Sequence, residues 1–109
     1  MGIVFNTEFN NKLNCRGDGK LYLLYEAASV FPDAVESQSP NGQILPARII
    51  PFSETEFVVV LADFGVDQSL SFFSGDNIIY QRRINPGKFS IESKVNGLLR
   101  AEHCGQFRN

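Results

Sequence analysis

Short apolar runs recur along the chain at the two-residue period of β-strands, separated by Gly, Pro, Asn and Asp. The first clear run covers 20–28. It places Leu21, Leu23 and Tyr25 on one face and Tyr22, Leu24 and Glu26 on the other. Phe31-Pro32-Asp33 breaks it, and Ala34–Gln38 follows as a short strand with Val35 inward. Ser39-Pro40-Asn41-Gly42 is a turn leading to a strand over 43–50, which Pro46 and Pro51 mark as a sheet edge because proline donates no ladder hydrogen bond. The run 56–63 is apolar on both faces, as a central strand is. A loop over 64–68 leads to a strand over 69–74. Gly75-Asp76 suits a two-residue hairpin turn, and Asn77–Ile84 returns as the partner strand.

The two ends read differently. The stretch 6–14 is rich in Asn and poorly patterned, with an edge strand at most near Ile3 to Phe5. Arg16-Gly17-Asp18-Gly19 reads as a turn. After Asn85-Pro86-Gly87 the period changes. Ile91, Val95, Leu98 and Leu99 fall at helical spacing behind Ser90 as N-cap, which predicts a short C-terminal helix over 90–102. Six or seven strands, with turns every eight to twelve residues, predict a mainly β, immunoglobulin-like antiparallel β-sandwich. Its length of 109 residues suits one domain, with a core over about 19–88.

Composition narrows the function classes. Ten Phe and no Trp favour aromatic rings spent in a core. A net charge of −2 lacks the positive field of a nucleic-acid binder. The charge is uneven: residues 1–76 carry four basic and ten acidic side chains, whereas 77–109 carry six basic and two acidic. That asymmetry suits either a solvated basic end or a surface that docks something acidic. No run approaches the length of a membrane span, and residues 1–6 lack the charged and apolar regions of a signal peptide, so the expectation is a cytoplasmic protein. Cys15 and Cys104 are then two reduced thiols; a disulfide joining the ends requires an oxidising compartment.

Candidate chemistry is sparse. Arg16-Gly17-Asp18 is the tripeptide that integrin receptors recognise, but it reads more simply as a glycine turn. His103 is the only histidine and has no second His or Cys-x-x-Cys with which to hold zinc. Asp63, Asp67 and Asp76 match no calcium loop and read as solvated loop acids. No phosphate loop, dinucleotide fingerprint or nucleophile elbow is present. No catalytic residue, metal ligand or cofactor is therefore assigned. Tyr22, Tyr25 and Tyr80 are weighed as a sugar-stacking platform against half-buried sandwich wall. Tyr80, Arg82, Arg83 and Lys88 are the candidate binding or docking residues, with Tyr80 and Arg82 on one face of the strand; Tyr and Arg bury area while keeping polar contacts, which suits an interface.

Two stretches carry a family resemblance: 34–47 followed by Phe57 to Leu61, and 79–85 followed by 90–98. Together they resemble the N-terminal β-sandwich domains that precede the catalytic domain in some multidomain bacterial glycosyltransferases, which build cell-surface polysaccharides or teichoic-acid-like polymers. The resemblance covers about residues 20–100 and is one of pattern. It implies a non-catalytic accessory domain, a piece of a longer protein, whose partner is a C-terminal catalytic domain in the same natural chain. The domain would pack on that neighbour or position a polysaccharide acceptor. This chain holds no Asp-x-Asp motif and is too short for a transferase fold, so no catalytic residue carries over. The alternative is a stand-alone carbohydrate- or protein-binding β-sandwich module.

Overall fold

The computed structural model describes residues 9–28 and 30–91. They form eight strands: β1 (Phe9–Gly17), β2 (Lys20–Ala27), β3 (Ala34–Gln38), β4 (Ile44–Pro51), β5 (Glu56–Ala62), β6 (Gln68–Ser74), β7 (Asn77–Ile84) and the two-residue β8 (Ser90–Ile91). A single 3₁₀ turn, Pro86–Lys88, precedes β8. All eight strands belong to one sheet in the order β7-β6-β3-β4-β5-β2-β1-β8, antiparallel except for the β1–β8 contact. The mainly β, antiparallel expectation is met. The architecture is one curled sheet, a half-barrel.

The curl has a physical origin in β4. Its first half, Ile44 to Ala47, pairs with β3, and its second half, Arg48 to Pro51, pairs with β5. At Pro46 the ladder therefore exists on one side only, opposite Glu36, and the missing N–H leaves no gap on the other. The prolines do not mark an outer edge, as the sequence suggests. They mark where an interior strand changes neighbours, the device by which sheets turn corners.

The concave face holds the main core. Leu21, Leu23 and Tyr25 from β2 and Phe57, Val59 and Leu61 from β5 meet Val35, Leu70 and Phe72 across the curl, all at most 3% exposed. The predicted facing of β2 is the one observed, because a period of two sends alternate residues to opposite sides. Tyr22 and Leu24, with Val58 and Val60, lie on the convex side in a second buried cluster that also contains Leu13 and Cys15, with Ile50 packed against it. β2 and β5 are thus buried on both faces.

β1 occupies residues that appear unpatterned in the sequence. The cause is a bulge: Asn11 pairs with Tyr25 while Leu13 pairs with Leu24, so Lys12 is an extra residue. The insertion reverses the facing of the strand. Phe9 points into the concave core, whereas Leu13 and Cys15 point into the convex cluster. Asp18 and Gly19 then close the β1–β2 hairpin with φ of 57° and 74°. Positive φ at both central residues is what a type I′ turn requires, and Asp-Gly supplies it at low steric cost.

At the C-terminal side, Ser90–Ile91 pairs in parallel with Cys15 and Arg16. Ser90 therefore does not cap a helix; its backbone extends the sheet. The rest of the expected helix, 92–102, lies outside the described residues, as do Ile3 to Phe5, His103 and Cys104. Among the described residues, no helix is long and apolar enough to cross a membrane.

Candidate functional site

β7 and β6 form the hairpin that carries the basic end. Gly75 has a φ of 61°, as a hairpin with Gly first requires, and its N–H donates to Asp33 Oδ2 at 2.7 Å. Phe72 pairs with Tyr80 and Phe73 with Ile78, which makes Ile79 an extra residue. From that bulge onward the register is regular: Leu70 lies opposite Arg82 and Gln68 opposite Ile84. Tyr80, Arg82 and Ile84 therefore share the concave face with Phe72, Leu70 and Gln68.

Tyr80 closes one side of an aromatic cluster. Its ring meets Phe72 at a 5.1 Å centroid distance, Phe9 at 5.7 Å and Tyr25 at 6.3 Å, all edge-on. Edge-to-face contacts set the positive ring edge against the negative ring face, a favoured arrangement. Arg82 Nη1 donates to the Tyr80 hydroxyl at 3.4 Å, a long hydrogen bond. That bond, ahead of the burial that opposes it, raises the affinity of Arg82 for its proton, so the guanidinium is a fixed cation.

Tyr25 lies behind this pair. Its side chain is 0% exposed, and among the described residues its hydroxyl is the buried side-chain polar atom without a hydrogen-bond partner. Burial, then the neighbouring Tyr80, pushes its pKa up; Arg82 opposes them. The phenol therefore stays protonated, a donor with nothing to donate to. Leaving such a group unpaired costs about 1–3 kcal/mol. Tyr25→Phe is expected to leave the domain equally stable or up to about 1 kcal/mol more stable in urea denaturation, because it removes the unpaired group and keeps the ring. A loss above that size would mean that the hydroxyl has a partner in solution.

The four residues singled out in the sequence do not converge. Tyr80 and Arg82 are together on the concave face. Arg83 pairs with Ser69 and points the other way, where it lines a cavity of about 190 Å³ with Gln38, Asp67 and Ser69. Lys88 is exposed on the 3₁₀ turn past the end of β7. Tyr22 and Tyr25, weighed as sugar platforms, are 4% and 0% exposed, so neither offers a ring face to a glycan. Tyr25 is the site residue that sequence reasoning did not group with Arg82. Both faces of β2 are apolar, so no pattern marks one Tyr as lying beside the basic end.

The remaining candidates have structural roles. Arg16 Nε donates to Asp63 Oδ2 at 2.6 Å and its Nη1 to the Pro86 carbonyl at 3.3 Å, so the arginine of the Arg-Gly-Asp tripeptide ties β1 to the end of β5 and to the 3₁₀ turn. Asp63 Oδ1 also accepts the Gly65 N–H at 2.8 Å. Gln68, 1% exposed, donates to Ser37 Oγ at 2.9 Å and the Ala62 carbonyl at 3.1 Å, and accepts the Phe64 N–H at 3.0 Å. It thereby holds β6 to both halves of the curl. Among the described residues, no three His, Cys, Asp or Glu side chains gather as metal ligands. Cys15 is disulfide-bonded and 1% exposed, which departs from the expectation of a reduced thiol.

In the comparisons with known proteins, no family model, no curated protein and no solved structure matches the chain.

Proposed function

We propose that this chain is a non-catalytic binding domain that docks a protein partner through the concave side of β7, at Tyr80 and Arg82. The observation that carries the reading is the exposed guanidinium of Arg82, held against the Tyr80 hydroxyl and with no carboxylate within reach among the described residues. An acidic group brought in by a partner would give Arg82 its carboxylate and would be held by charge-assisted bonds. The basic balance of 77–109 supports the same polarity.

The resemblance to accessory domains of bacterial glycosyltransferases supplies a setting in which that partner is the following catalytic domain. Burial of Tyr22 and Tyr25 favours protein packing over positioning of a polysaccharide acceptor, the other role in that setting. The two halves of the sheet, opposed across the aromatic core, support the sandwich reading of the fold; its immunoglobulin-like type rests on the strand spacing. The disulfide at Cys15 favours an oxidising compartment over the cytosol expected from the residues.

Titration of the purified chain with poly-glutamate and with the acidic polysaccharide alginate, followed by amide and aromatic NMR signals, tests the reading. Poly-glutamate is expected to shift the signals of Tyr80, Arg82 and the Tyr25 ring, and Arg82→Glu to abolish the response. A response to alginate alone moves the assignment to a glycan ligand. No response to either polymer overturns the docking reading.

A further inference from the structure

We propose that β7 takes up an extended, acidic segment of its partner as an additional strand, an inference that rests on the docking reading and specifies its mode. The sheet order of the described strands ends at β7, which pairs with β6 on one side only. Among the described residues no strand pairs with its other side, whose backbone N–H and C=O groups form the kind of template used in strand addition. Beyond the bulge at Ile79 the strand runs regularly from Tyr80 to Ile84, long enough for about five paired residues. β7 contains no proline, and its charged residues are Arg82 and Arg83, with no acid. The outer side of β1 is a poorer template, because β8 already covers Cys15 and Arg16 and the bulge at Lys12 interrupts what remains.

Alternation then states the chemistry of the guest. Side chains of an added strand fall alternately on the concave and convex faces, with Cβ atoms about 5 Å from their neighbours on β7. An acid on the concave side lies beside Arg82. An acid on the convex side lies beside Arg83, at the cavity shared with Gln38 and Asp67. Either phase of an acidic strand meets a guanidinium, and a basic strand meets two like charges. Apolar residues at the intervening concave positions would extend the surface of Tyr80 and Ile84.

The test uses capped ten-residue peptides alternating Val and Glu, with backbone N-methyl groups on every residue or on none, titrated into the intact chain. Strand addition needs the amide donors of whichever edge faces β7, so the methylated peptide is expected to bind at least about tenfold more weakly than the unmethylated parent. The amide shifts are expected to concentrate in Tyr80 to Ile84. The Arg82→Glu/Arg83→Glu variant, checked for an unchanged fold by its dispersed NMR spectrum, is expected to prefer the corresponding Val-Lys peptide. Equal binding of the methylated and parent peptides overturns strand addition and leaves docking by side chains. Absence of binding by the parent peptide and by poly-glutamate overturns both.

Discussion

Phe72→Ala is expected to destabilise the domain by about 3–5 kcal/mol, the range for emptying a buried aromatic site. Phe72 is 0% exposed, and its ring meets Phe9 at 5.6 Å, Tyr25 at 5.1 Å, Phe57 at 6.2 Å and Tyr80 at 5.1 Å. Phe9, Tyr25 and Phe57 lie on β1, β2 and β5, while Phe72 and Tyr80 lie on the β6–β7 hairpin. The ring therefore joins the two halves of the curl, and its loss empties a buried site where they meet. Urea denaturation reads the effect as a fall in midpoint. Val66→Ala, at a residue 51% exposed, is expected to change stability by no more than about 0.5 kcal/mol. Similar losses from both variants would mean that the halves do not pack through this cluster.

Loss of the Cys15 disulfide is the second large expected effect. Cys15 is buried on the convex face beside Leu13 and Tyr22, and β8 pairs with it from the edge. Cys15→Ala is expected to cost about 2–5 kcal/mol, chiefly through the greater freedom of the unfolded chain, with a smaller packing loss. Cys104 is the other cysteine of the sequence, so the partner is tested by a cycle. If the two pair, Cys15→Ala, Cys104→Ala and the double variant lose about the same stability. A second copy as partner instead gives a dimer on a non-reducing gel. Alkylation of Cys15 in the denatured, unreduced chain would contradict the disulfide itself.

The sequence was most legible where strand residues follow a plain period of two. β2, β3, β5 and β7 lie within a residue or so of their expected ends. The pairing of Tyr80 with Arg82, and the separation of Arg83 from both, follow from the same alternation. β1 was illegible because Lys12 shifts the facing halfway along, so Phe9 and Leu13 serve different clusters and no single pattern spans them. β4 was misread because proline reports a missing donor, not which neighbour lacks it. Ser90 was misread as a helix cap because Ser is equally at home at the start of a short strand pairing with β1.

By itself, then, the sequence determined the strand class, most turns, the facing of β2 and the basic character of the β7 end. These depend on local chemistry: side-chain period, turn φ and charge. Tertiary structure alone decided that the strands form one curled sheet, that β4 lies inside it, and that Tyr25 sits behind Tyr80 and Arg82. Tyr25 and Arg82 are separated by more than fifty positions in the chain and meet only because β4 turns the sheet on itself. Contacts made across such a curl depend on bulges and changes of neighbour, which act at single residues and leave the hydrophobic pattern on either side unchanged.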